Sequence, residues 1–166
     1  GEANIDVPSH DGRLRIARAW LKPSARITPE ARVAIMEADA VLIGPGDLYT
    51  SIIPNLLVAG VPEALQKTKA KKIYVVNLMT KFGETNGFVA SDFVRALGGY
   101  LGENVLDTVI ANSNLPHPSR LKPYVHERAE LVRINGGHMP KGMRLVRADL
   151  LRQRGFLRHD SEKLAR

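Results

Sequence analysis

The stretch Ala40-Val41-Leu42-Ile43-Gly44-Pro45-Gly46-Asp47-Leu48-Tyr49-Thr50-Ser51 decides the fold. Its first four residues form a short, continuous apolar run. Such a run suits a strand buried on both faces, as parallel sheets require. Residues 72–77 (Lys-Ile-Tyr-Val-Val-Asn) and 108–112 (Thr-Val-Ile-Ala-Asn) repeat the pattern. Residues 62–68 and 91–101, between these runs, read as helices. Strand, helix, strand, helix, strand predicts an α/β fold with right-handed crossovers in a parallel sheet.

Working outward, Thr28-Pro29-Glu30 opens a helix that runs to about Ala38. Thr28 can cap it, Pro29 fits the first helical position, and Glu30 suits the positive end of the dipole. Further back, Leu14 and Ile16 alternate with Arg13, Arg15 and Ala17, which predicts a half-buried strand. His10-Asp11-Gly12 is a turn signal, so residues 5–7 are expected to pair with that strand as a hairpin. After Asn112, the prolines Pro116, Pro118 and Pro123 mark a loop of about ten residues. Residues 131–134 and 145–148 read as two further short strands, punctuated by Gly136-Gly137 and Gly142. Asp160 can cap a last, short helix. With no internal repeat or low-complexity stretch, residues 1–166 read as one domain.

A chain of 166 residues is long enough for a sizeable core. There are no cysteines, which excludes disulfides, Cys-ligated metal and Cys nucleophiles. No apolar run reaches the roughly 18 residues of a membrane span, and no charged-then-apolar leader opens the chain. A cytoplasmic protein without membrane contact is expected. The net charge of +7 is unevenly placed. Residues 1–114 hold 12 Lys+Arg and 12 Asp+Glu, whereas residues 115–166 hold 12 and 5. Such a basic third could meet ligand phosphates, nucleic acid or an acidic partner, or simply solvate the surface. Only Tyr124 and Phe156 are aromatic there, so no stacking platform for single-stranded nucleic acid is visible. Nucleic acid is not an expected partner.

In open parallel sheets, ligands bind beyond the carboxyl ends of the strands. Three such places carry unusual residues. In residues 44–51, Gly44 and Gly46 permit a tight turn and close approach to a ligand. Asp47, Thr50 and Ser51 add donors and acceptors, and free N–H groups ahead of a following helix would suit an anion. Residues 77–86 form a second, long loop. There Glu84 could accept from ribose or sugar hydroxyls, and Asn77 and Asn86 could read a base edge. Asn112-Ser113-Asn114 is the third. Each could equally be an ordinary turn or helix cap. His10, His117, His126, His138 and His159 have no metal-site spacing and read as structural or solvated. There is no Gly-x-Ser-x-Gly elbow. The chain does not assemble a general acid, a base and a metal, so catalytic residues stay unassigned and no metal ligands are named.

The run Ile43-Gly44-Pro45-Gly46-Asp47-Leu48-Tyr49-Thr50-Ser51-Ile52-Ile53-Pro54-Asn55-Leu56-Leu57 resembles the signature loop of the gluconeogenesis factor family. Asn77-Leu78-Met79-Thr80 with Gly83-Glu84-Thr85 is similar to its second signature. Arg158-His159-Asp160 with Lys163-Leu164-Ala165 is similar to its C-terminal motif, and Gly1-Glu2 to a motif near the middle of the full protein. Family members often carry Ser in place of Asp47 and Gln-Pro in place of Lys81-Phe82. A carboxylate at Asp47 would repel a phosphate unless a cation intervened. The resemblance implies a doubly wound, mostly parallel, Rossmann-like sheet with helices on both faces. It makes this chain the C-terminal part of a longer nucleotide-sugar-binding protein. It implies binding of UDP-sugars and a role in cell shape and central carbon metabolism. A related branch transfers phospholactate from a guanylyl-activated donor, and magnesium would enter only on that alternative. The expected partner is a nucleotide-sugar ligand, with a homo-oligomer left open. The candidate ligand-binding residues are Gly44, Pro45, Gly46, Asp47, Tyr49, Thr50, Ser51, Asn77, Met79, Thr80, Gly83, Glu84, Thr85 and Asn112.

Overall fold

A computed structural model of the chain describes residues 11–135, 139–140 and 142–166. Helix α1 (Pro29–Glu37) starts as its sequence predicts: the Thr28 hydroxyl accepts from Ala31 N at 3.2 Å. Strand β1 (Ala40–Ile43) follows, then a π-helical turn (Leu48–Ile52) that runs into the short helix α2 (Ile53–Leu56). Helix α3 (Val61–Lys67) leads to β2 (Lys71–Val75), and α4 (Ala90–Leu101) leads to β3 (Thr108–Asn112). A 3₁₀ turn (Pro118–Arg120) and α5 (Lys122–Val125) precede β4 (Arg144–Ala148), and α6 (Ser161–Ala165) closes the chain.

The four strands form one parallel sheet in the order β1-β2-β3-β4. The α/β reading therefore holds. The continuous apolar runs give β2 and β3 their buried positions, with Tyr74, Val75 and Val109 fully enclosed. Helix α4 places Phe93, Val94, Leu97 and Leu101 along one face at helical spacing, and all four are buried. These residues join Ile43, Leu48, Ile52, Ile53 and Leu56 in a single core. The π-helical turn and α2 are therefore anchored in the core directly behind the first candidate loop.

Four expectations need correction. Residues 14–16 form no strand, and Leu14 is 63% exposed. No neighbouring strand pairs with them among the described residues, although Ile16 and Ala19 rest on the core. The hairpin partner at residues 5–7 lies outside the described residues. Strand β1 is not buried on both faces: it is an edge strand, and Leu42 is 59% exposed. Val33 and Met36 of α1 are exposed as well. Residues 131–134 form no strand. Leu131 makes one bridge to Met79, Val132 N donates to Leu78 O at 2.8 Å, and Arg133 O accepts from Ala90 N at 2.9 Å. This apolar stretch straps the second candidate loop to the start of α4. Finally, the proline-rich loop holds a 3₁₀ turn and α5, because Leu121 and Tyr124 pack on a second small cluster of Leu78, Leu151 and Leu157.

Candidate functional site

The turns after β1 and β2 meet at the carboxyl end of the sheet and are cross-linked there. Gly44 adopts φ +76°, a left-handed conformation that suits glycine. Gly46 N donates to Asn77 Oδ1 at 3.2 Å, joining the two loops. The Glu84 carboxylate reaches further across. Its Oε2 accepts from Tyr49 N at 3.0 Å and its Oε1 from the Thr50 hydroxyl at 3.2 Å. Its side chain has no exposed surface. Burial pushes the Glu84 carboxyl above its ordinary 4.5, opposed by the bond from Tyr49 and by the nearby Lys81 ammonium. Lys81 Nζ stands 2.7 Å from Asp47 Oδ2 and 3.6 Å from Glu84 Oε1. The cation that a phosphate would need beside Asp47 is therefore present.

The second loop is also braced within itself. Lys81 N donates to the Thr85 hydroxyl at 2.9 Å, and Gly83 N to Asn86 Oδ1 at 2.7 Å. Thr80 N donates to Glu130 O at 2.7 Å, while its hydroxyl accepts from Glu130 N at 2.9 Å.

These loops border a cavity of about 620 Å³. Residues 45–47, 77–82 and 157–159 line it, with Tyr124, Glu127 and Ala129. Leu78, Met79, Tyr124 and Leu157 form an apolar floor continuous with the small second cluster. Arg158 is held by its backbone, its carbonyl accepting from Arg152 N at 3.0 Å. Leu157 N donates to the Tyr124 hydroxyl at 2.8 Å. The Arg158 guanidinium has no hydrogen bond or ion pair among the described residues. The His159 Nε2 is buried without a hydrogen-bond partner among the described residues. Burial pushes this imidazole below its ordinary 6.5, so it is neutral near pH 7. A larger depression of about 770 Å³ lies by α4 and the opposite, amino ends of β3 and β4. Its Asp107 carboxylate is already taken by Lys71 and Lys72, and it gathers none of the sequence candidates.

Of the sequence candidates, Pro45, Gly46, Asp47, Asn77, Met79 and Thr80 line the cavity together. Gly44, Tyr49, Thr50, Ser51, Gly83, Glu84 and Thr85 belong to the same two loops but do not line it. Several finer expectations change. Glu84 braces two loops and has no surface to offer a sugar hydroxyl. The N–H of Tyr49 is not free for an anion, because Glu84 holds it. Asn86 is engaged with Gly83 and with Gly12 O. Asn112 stands apart: its amide bonds Asn114 within its own turn and accepts from Leu150 N, just beyond β4. A Cβ at Gly46 would meet Ser51 Cβ at 3.2 Å, so this glycine lets the loop pack on itself as well as border the cavity. Reading residues one strand end at a time missed Lys81, Phe82, Tyr124, Arg158 and His159. Arg158-His159 did carry a signal in the C-terminal motif, but the fold is needed to bring it to the first two loops. Among the described residues no three His, Asp or Glu side chains group to hold a metal ion.

The cavity thus lies between strand-end loops of a parallel α/β sheet, the place where open α/β folds bind their ligands. Residues 1–151 match the family described as 2-phospho-L-lactate transferase CofD, and the chain belongs to that family. The gluconeogenesis factor of Bacillus subtilis is 39% identical over 155 residues, covering 91% of this chain and 49% of that protein. A relative from Clostridium acetobutylicum is 40% identical over 169 residues, covering 100% of this chain and 38% of that protein. The crystal structure of protein BH3568 from Bacillus halodurans superposes with a TM-score of 0.91 at 32% identity, covering 99% of this chain and 53% of that one. The chain thus spans about half, or less, of the length of these relatives. The family resemblance read from the signature loops agrees with these matches. No helix among the described residues is long and apolar enough to cross a membrane.

Proposed function

We propose that the carboxyl-end cavity binds a UDP-sugar, and that the whole protein is a ligand-responsive regulator of carbon metabolism and cell shape. The observation that carries the reading is the Arg158 guanidinium, without a hydrogen bond or ion pair among the described residues, on a cavity that carries two carboxylates, Glu127 and Asp47, the second of them paired with Lys81. A planar guanidinium fork matches phosphate oxygens, and its charge has no partner among the described residues. The apolar floor of Leu78, Met79 and Leu157 suits flat or weakly polar rings. A volume of about 620 Å³ lies within the usual range of small-ligand sites. The gluconeogenesis factor name of the relatives supports the metabolic side of the reading.

The test is calorimetric titration of the full-length protein with UDP-glucose, uridine and GDP, each with and without magnesium. UDP-glucose should bind with one-to-one stoichiometry and without need of magnesium. Arg158→Ala should weaken it about tenfold or more, the loss of one charge-assisted contact. Absence of UDP-glucose binding contradicts the proposal. Magnesium-dependent consumption of a guanylyl-activated donor would favour phospholactate transfer instead.

A further inference from the structure

We propose that the Phe82 ring is the surface on which the nucleobase of the bound ligand stacks, an inference that rests on the nucleotide-binding reading. Phe82 is a large apolar residue that belongs to neither hydrophobic cluster. It is half-buried, and it lines the cavity. Core packing therefore does not account for its position.

Polar neighbours and a glycine hold the ring instead. The Arg128 guanidinium stands over it, 4.7 Å from the centroid. Arg128 adopts φ +52°, a left-handed conformation costly for a residue with a side chain. Its N–H donates to Val125 O at 3.1 Å, which closes that turn. Gly12 packs against the ring so closely that a Cβ there would displace it. Gly12 is tied back in turn, its carbonyl accepting from the Asn86 side-chain amide. An aromatic ring that the core does not need, fixed by its neighbours at a cavity wall, is preorganised for a flat partner. Asn77 stands on the same cavity. Its Oδ1 is taken by Gly46 N, while its amide donors have no partner among the described residues and suit a carbonyl oxygen on a base edge. Stacking on an aromatic face with a cation beside it is the usual chemistry of base recognition.

The test titrates the full-length protein and its Phe82→Leu, Phe82→Tyr and Arg128→Met variants with UDP-glucose, UDP and inorganic pyrophosphate. Thermal melts establish that each variant is folded, and Phe82→Met replaces the leucine variant if that one is not. Phe82→Leu should weaken UDP-glucose and UDP alike, by about tenfold or more for the loss of one stacked base. Pyrophosphate binding should be unchanged. Phe82→Tyr should keep the parent affinity, and Arg128→Met should fall between parent and Phe82→Leu. Equal UDP affinity in parent and Phe82→Leu overturns the inference and leaves the nucleotide reading standing. A loss for UDP-glucose but not UDP also overturns it, since the ring would then pack on the sugar. An equal loss for pyrophosphate overturns it too, because the ring would then only support the loop. A parent that binds pyrophosphate but neither uridine ligand defeats the nucleotide reading as well.

Discussion

Replacing Glu84 by alanine should separate the two site loops. The Glu84 carboxylate has no exposed surface and accepts from Tyr49 N at 3.0 Å and the Thr50 hydroxyl at 3.2 Å. Alanine leaves the Tyr49 N–H buried without an acceptor and removes one of two anions beside Lys81. Bonds to a charged group contribute about 1.5–3 kcal/mol each, and breaking a buried pair costs about 3–5 kcal/mol. Lys81 is partly exposed and keeps Asp47, so a loss of about 3 kcal/mol is expected, toward the low end of the pair value. For a domain of this size that lowers the melting temperature by about 6–12 °C. Thermal unfolding followed by circular dichroism reads it. A fall of less than about 2 °C would refute the bracing role. Glu84→Gln adds a pH arm, because glutamine keeps an acceptor and removes the titration. Burial raises the folded carboxyl above 4.5, so the native state holds this proton more tightly than the unfolded one. The contribution of Glu84 is then greatest at low pH and is lost as pH rises from 4.5 through the raised value. Relative to the parent, Glu84→Gln should therefore gain stability as pH rises through that window. A urea-midpoint series in which the gap moves the other way would contradict the assignment.

Three further outcomes are expected. Gly46→Val should abolish the ligand-induced melting shift of the full-length protein, because a Cβ there already meets Ser51 Cβ at 3.2 Å. Ligand at 100 times its dissociation constant should stabilise the parent by about 2.7 kcal/mol, and a variant with the parent's shift would remove this loop from the site. Charge reversal at Arg152 and Arg154, both exposed, should change stability by no more than about 0.5 kcal/mol per site and leave UDP-glucose affinity unchanged. Asp107→Asn should reduce stability at neutral pH and flatten its acid dependence. A bond from Lys72 N holds the Asp107 carboxyl below 3.8, so its stabilisation is present above that value and lost as pH falls through the lowered one. An acid-unfolding midpoint unchanged in the variant would contradict this.

The parallel strands were legible because pairing buries the inner ones and leaves apolar runs at residues 72–77 and 108–112, while the like run at 40–43 forms a strand although it stands at the sheet edge. The caps were legible for local reasons: Thr28 and Asp160 bond N–H groups two or three residues ahead. Alternation misled at residues 14–16, where the period of two is present but no strand stands alongside. Residues 131–134 misled because the same apolar pattern serves a strap that bonds Leu78 and Ala90. For the site, the loops after β1 and β2 were legible from their place at strand ends. The role of Glu84 was not, since a carboxylate that bonds a loop 35 residues away looks in sequence like one that faces solvent. Lys81 and Phe82 sat inside the quoted loop, but their partners Asp47 and Arg128 lie 34 and 46 residues away and only the fold reveals them. Arg158 came to the cavity through the turn that bridges Leu151 and His159, a tertiary arrangement without a local pattern.

The central claim is that the carboxyl-end cavity is the nucleotide-sugar site. A crystal structure of the full-length protein grown with UDP-glucose tests it most directly. Ligand density is predicted between Pro45–Gly46, Asn77 and Phe82, with phosphate oxygens at the Arg158 guanidinium. Density in the depression by α4 at the amino ends of β3 and β4, with the carboxyl-end cavity empty, would contradict the account.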